Sequence, residues 1–195
     1  MLSYTGRGGR RGVVYGGASG PGVVWHGPAP FVEDLVERGF RVAVPEVYWR
    51  ERPPTDPEAL GDFGAAREAL GGGVFFVGFG VGGLWSRLAA CSFARTLGAV
   101  DLGGALAFPR IDEVHPTQPL DLLPGLRTGL QVHVAGDDPA VDPVHVAELE
   151  RRLVLLNHPN QVLVYPGVRS MEDERVKRQG WARACAFLGH LAAGG

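Results

Sequence analysis

With 195 residues, 45% of them hydrophobic and 21% charged, the chain has the size and balance of one globular domain spanning residues 1–195, and disordered, collagen-like and coiled-coil classes are excluded. A formal net charge of −2, from 19 basic and 21 acidic residues, leaves no cationic excess to neutralise phosphates, so a nucleic-acid binder is excluded. No apolar run approaches the roughly 18 residues of a membrane span, and Cys91 and Cys185 form no CxxC pair, so a reduced, cytoplasmic protein without membrane contact, metal or cofactor is expected.

In chain order, strand-like runs are predicted at Gly12–Tyr15, Gly22–His26, Arg41–Pro45, Val74–Phe79, Ala99–Leu106, Leu130–Ala135 and Gln161–Tyr165. Most are rich in Val, Phe and Leu with little alternation, the pattern of strands covered on both faces. Helical patterns fall at Phe31–Arg38, Pro57–Leu70, Gly83–Leu97, Pro143–Leu156 and Glu174–Leu191; in the fourth, Val146, Leu149, Leu153 and Leu156 form one stripe. The alternation predicts an α/β sandwich, a mostly parallel sheet of about seven strands with helices on both faces. The first two strands are joined by a segment too short for a crossover, so they are expected to pair antiparallel.

Ligands of such sheets bind beyond the carboxyl ends of the strands. The glycine-rich turn Gly78-Phe79-Gly80-Val81-Gly82-Gly83 sits at one such end and has two readings. Gly78, Gly80 and Gly83 fit the dinucleotide pattern G-x-G-x-x-G, and Asp101 lies 18 residues further on, where a ribose-binding acid would be. The same residues also fit a nucleophile elbow, a strand-to-helix corner so sharp that its flanking positions must be small. The nucleophile position then falls on Gly80, which carries no side chain but tolerates the positive φ of the corner.

The chain resembles the dienelactone hydrolase family of α/β-hydrolase-fold enzymes over nearly its whole length. Val44–Arg50 is similar to that family's A-P-D-L-Y-x-R segment, and Gly78–Gly83 stands where the family has G-x-C-x-G-G. Ala135–Val141 resembles its acid loop and Tyr165–Ser170 its Y-P-G-A-x-H segment. The resemblance implies that Asp138 is the triad acid, that Gly80 replaces the nucleophile and that Ser170 replaces the histidine. His26-Gly27 stands where the family often has a histidine followed by a glutamate, so that carboxylate is missing too.

Acyl transfer needs a nucleophile, a base and an acid that orients the base; of these the chain keeps Asp138. Backbone N–H groups of Val81 and of the Gly27 region, with the positive end of the following helix, still suit a carbonyl or anion. The expectation is a non-catalytic member of the fold that binds a small carbonyl or carboxylate ligand, with His26, Gly27, Val81 and Tyr48 around it, or a protein partner; a homodimer is compatible. One alternative is an ester or lactone hydrolase with a rearranged site built from Ser170, His26 and Asp138. Another is a dinucleotide-binding oxidoreductase using Gly78, Gly80 and Gly83. His133 reads as a satisfied core side chain, His115 as part of a loop, and Asp137, Asp138 and Asp142 as turn and cap residues.

Overall fold

The computed structural model describes residues 1–48 and 51–194, and for Arg7 the backbone alone. Among the described residues, eight strands form one sheet: β1 (Leu2–Thr5), β2 (Arg11–Tyr15), β3 (Gly22–His26), β4 (Arg41–Pro45), β5 (Val74–Phe79), β6 (Thr96–Leu102), β7 (Leu130–Ala135) and β8 (Gln161–Tyr165). Their order is β1-β2-β4-β3-β5-β6-β7-β8, with β2 antiparallel to both neighbours and every later pair parallel.

Among the described residues there are five α-helices, α1 (Pro30–Glu37), α2 (Asp56–Leu70), α3 (Val81–Ser92), α4 (Pro143–Val154) and α5 (Glu174–Ala193), and two short 3-10 turns at Arg7–Gly9 and Pro119–Gly125. Their starts follow from local chemistry. Thr55 and Glu58 close a capping box on α2, Asp142 caps α4 through Val144 N–H, and Asp173 caps α5 through Arg175 and Val176 N–H. Helix α3 has no side-chain cap, because it opens at Gly80, directly after β5.

The sheet separates two apolar layers. On one side α2, α3 and α4 bring Phe63, Leu84, Leu88, Leu149 and Leu153 against Val24, Phe76 and Val132. On the other, α1 and α5 bring Leu35, Val176, Trp181 and Leu188 against Val23, Phe75, Val77 and Val100. Strand residues alternate between layers, so the central strands are apolar at nearly every position.

The expected mostly parallel sheet of about seven strands is present, with an eighth strand, β1, whose mostly exposed Leu-Ser-Tyr-Thr carries no burial pattern. Two expectations need correcting. Strands β2 and β3 do not pair, because β4 lies between them and takes β2 antiparallel on one edge and β3 parallel on the other. Strand β6 stops at Leu102 instead of Leu106, where Gly103 turns to φ 83°.

After β3 the chain moves outward to β4, then crosses back to β5 on the other side of β3. The carboxyl ends of β3 and β5 therefore flank a topological switch point, the place where open α/β sheets bind ligands.

Candidate functional site

Gly80 occupies the corner between β5 and α3 with φ 56° and ψ −124°. Its N–H donates to Leu102 O at 2.9 Å, and its carbonyl accepts from Gly83 and Leu84 N–H at 2.9 and 3.2 Å, which fixes the corner on both sides. A Cβ built on Gly80 meets nothing within 4 Å, so the position faces open space.

The neighbouring glycines are small for a different reason. A Cβ on Gly78 would run into the Gly82 carbonyl and lie 2.7 Å from Gly83 N, and one on Gly82 would strike the His26 carbonyl. One on Gly83 would strike the Asp101 carboxylate. This is the packing of a nucleophile elbow. We expect Gly78→Ala to destabilise the fold by about 3 kcal/mol, since the atoms in its way are backbone and cannot swing aside. Gly80→Ala meets only φ strain and should cost about 1 kcal/mol; urea unfolding of the two variants gives the order directly.

The acid expected at a ribose is not available to one. Asp101 is fully buried and faces the equally buried Arg87 guanidinium at 3.0 Å, while its other oxygen accepts from Gly104 N–H at 2.7 Å. Burial pushes the Asp101 carboxyl above its usual range, against the opposing pull of Arg87. Gly83 and Asp101 thus serve the packing of α3 on β6, and the dinucleotide reading loses its acid.

His26 ends β3 beside the corner. Its ring lies edge-on to Trp85 at 5.2 Å and near Tyr48 and Phe63 at 5.8 and 6.3 Å. Burial holds its imidazole below the usual range, and Nδ1 is buried without a hydrogen-bond partner. Tyr48, 57% exposed, and Val81, 40% exposed, stand at the mouth. A Cβ on Gly27 would sit 2.6 Å from the Trp25 ring and 3.0 Å from Phe79 Cβ, so a glutamate has no room there. Val81 and Gly82 open α3, where the first N–H groups have no intrahelical acceptor and the helix dipole is positive. Trp49 and Arg50 lie outside the described residues.

The loops after β7 and β8 are stitched together: Gly136 N–H donates to Tyr165 O, Asp137 N–H to Val168 O, and Gly167 N–H to the Asp137 carboxylate. Asp138 closes its own turn, accepting from Ala140 N–H at 2.9 Å. Ser170 is exposed, and its Oγ accepts from Glu172 N–H at 3.1 Å in the turn entering α5. The next residue, Met171, points inward instead and packs beside Gly103 and Gly180. Ser170, His26 and Asp138 share the carboxyl side of the sheet, but no hydrogen bond joins any two of them.

Two site-grade residues escaped sequence reasoning. Asp56 and His115 are hydrogen-bonded across 59 positions of sequence, at 3.0 Å. No spacing rule links a helix-start aspartate to a loop histidine, and only the fold brings them together.

No family model matches the chain, and no curated protein matches it in sequence. Solved structures do match it. A Klebsiella pneumoniae protein assigned as a dienelactone hydrolase superposes with a TM-score of 0.80 at 17% identity, covering 95% of this chain and 97% of that one. A dienelactone hydrolase-like promiscuous phosphotriesterase from metagenomic libraries gives 0.73 at 16% identity, covering 97% and 98%. The enol-lactonase from Burkholderia xenovorans gives 0.72 at 15% identity, covering 93% and 98%. With the strand order, the elbow at Gly80 and the stitched β7 and β8 loops, these matches establish that the chain has a dienelactone hydrolase-like α/β-hydrolase fold.

Proposed function

We propose that this protein is a non-catalytic member of its fold that binds a small carbonyl- or carboxylate-bearing ligand over the Gly80 corner. One observation carries the reading: the elbow is intact in backbone, with its N–H groups and open space preserved, yet its apex has no side chain. Hydrolysis through an acyl-enzyme needs an attacking oxygen or sulfur there, and in one serine protease losing the nucleophile or its base alone removed about 10⁶ of turnover. At the histidine position stands Ser170, an exposed hydroxyl engaged with Glu172 N–H. Binding needs neither group. A ligand oxygen at the start of α3 would meet Val81 N–H and the positive helix end, with the Tyr48 and His26 rings beside it.

The test is repair. Wild type should show no turnover of p-nitrophenyl acetate that is lost in Ser170→Ala or His26→Ala. Gly80→Cys combined with Ser170→His should gain at least about a hundredfold, the scale a positioned base contributes. Benzoate titrated into wild type should bind saturably, read by isothermal titration calorimetry. Wild-type turnover that disappears in both single variants would instead establish the rearranged hydrolase of Ser170, His26 and Asp138.

A further inference from the structure

We propose that Asp56 and His115 form a second site, separate from the Gly80 corner, that takes a neutral hydroxyl-bearing aromatic ligand such as a phenol, with His115 Nε2 as the proton acceptor. Asp56, the first residue of α2, is 4% exposed, and both of its oxygens are engaged. Oδ1 accepts from Trp85 Nε1–H at 2.9 Å, and Oδ2 meets His115 Nδ1 at 3.0 Å. A carboxylate oxygen accepts, so Nδ1 carries the hydrogen toward Asp56, and a neutral imidazole in that tautomer has its lone pair on Nε2. The His115 side chain is 33% exposed. Among the described residues no hydrogen bond is made to Nε2, which lies on the ring edge away from Asp56 on a side chain one-third exposed. A buried acid orienting an imidazole through Nδ1 while Nε2 faces outward is the proton-accepting half of a hydrolytic triad.

Holding the loop does not require this pair. Val114 and His115 N–H both donate to Asp112 at 2.9 Å, and Asp56 N–H donates to Val114 O at 2.9 Å. The Gln118 side chain brackets Phe108 through both its N–H and its carbonyl. The imidazole is therefore held on a frame that is already pinned, which is what a preorganised base needs. Its ring stacks on Phe108 with centroids 4.0 Å apart, and Ile111 and Val114 stand 48% and 42% exposed on the same loop. The surroundings are aromatic and aliphatic beside one acceptor.

Charge selects the ligand class. The groups facing His115 are the carboxylates of Asp56 and Asp112, with Arg110 paired to Asp112 at 3.6 Å. A carboxylate ligand would meet the Asp56 charge behind the ring, while Asp112 is offset by Arg110. A neutral phenol would not: it stacks against the apolar loop, its O–H bond breaks, the electron pair stays on oxygen, and the proton passes to Nε2. The imidazolium formed is held by Asp56, and the phenolate by the imidazolium.

4-Nitrophenol tests this in wild-type protein, because its ionisation is visible in its absorbance. At a pH where free 4-nitrophenol is mostly neutral, saturable binding with growth of the phenolate band is expected, and 4-nitroanisole, which lacks the hydroxyl, should bind at least about tenfold more weakly. His115→Gln should lose at least about tenfold in affinity, the scale of a hydrogen bond to a charged group, and Asp56→Asn should bind without the phenolate band. Should either variant fail to fold, 4-nitrophenol must still shift the His115 ring proton resonances of the wild type. Absence of saturable binding, equal affinity for 4-nitroanisole, or unchanged affinity in folded His115→Gln each overturns the assignment. Because Trp85 Nε1 also bonds Asp56, benzoate binding at the Gly80 corner is read by calorimetry in His115→Gln, which leaves Trp85 its partner, so the failure of one site is told apart from the failure of the other.

Discussion

Arg87→Ala is expected to destabilise the protein by about 3–5 kcal/mol, the range seen when one partner of a buried ion pair is removed. Arg87 and Asp101 have no exposed surface, and their facing atoms meet at 3.0 Å, off the direction of a good hydrogen bond. The guanidinium also donates to the Ala105 carbonyl, and Asp101 accepts from Gly104 N–H. Removing the arginine strands a carboxylate in an apolar interior, where the cost is desolvation without compensation. The double substitution Arg87→Met with Asp101→Leu should recover a large part of the loss, because no charge then remains buried. Urea unfolding of the three proteins decides it, and a loss under about 1 kcal/mol in Arg87→Ala would show that the pair is not a bracing element. The consequence reaches the site: Asp101 lies directly beneath Gly83, so the same pair supports the first turn of α3 and the N–H groups offered to a ligand.

The second large effect is acid sensitivity from His133, which β7 places wholly inside the α5 layer. Its Nε2 meets Gln131 Oε1 at 2.8 Å and its Nδ1 meets Tyr165 Oη at 2.8 Å. The amide oxygen only accepts, so Nε2 carries the hydrogen and the Tyr165 hydroxyl donates to Nδ1. Gln131 in turn donates to Gln161 at 2.7 Å, extending the chain to the exposed end of β8. The network is complete with a neutral ring. Burial, and secondarily the Arg183 charge, push the His133 pKa down to about 3 from an ordinary 6.5.

The sign follows by linkage: a depressed folded pKa gives stability that is whole above pH 6.5 and drains away as the pH falls toward 3. Between those limits the unfolded chain binds a proton that the folded one refuses. His133 should therefore remove about 1.4 kcal/mol per pH unit, roughly 4–5 kcal/mol in all. His26, also held low by burial, acts in the same direction. Comparing wild type with His133→Leu by urea unfolding at pH 4, 5, 6 and 7 isolates the His133 share. The variant should be less stable at pH 7, since Tyr165 and Gln131 lose their partner, yet fall less steeply below pH 6.5. Parallel pH dependences would refute the assignment.

Much of the architecture was legible in the chain. Seven of eight strands and all five helices announce themselves through apolar runs, proline at helix starts and Asp or Thr caps, because these are short-range consequences of backbone and solvent. The elbow was legible as well: four glycines between a strand and a helix permit few corners, and Gly80 at φ 56° occupies the one expected. Strand β1 was invisible because it is a mostly exposed edge strand of four residues, of which Tyr4 alone packs against the core. The sheet order was invisible for another reason: neighbours such as β2 and β4 are chosen by hydrogen-bond partners distant in sequence.

The sequence by itself determined that Gly80 brings no attacking side chain to the corner, since which side chain exists is settled before folding. Only the tertiary structure decided what the remaining polar groups do. Asp101 became the partner of Arg87 instead of a surface acid, Met171 turned inward where Ser170 turned out, and Asp56 found His115 across 59 positions of sequence. Those outcomes depend on burial, and burial is a property of the packed chain: a carboxylate is a surface group, a structural ion or an orienter of a base according to what the fold sets against it.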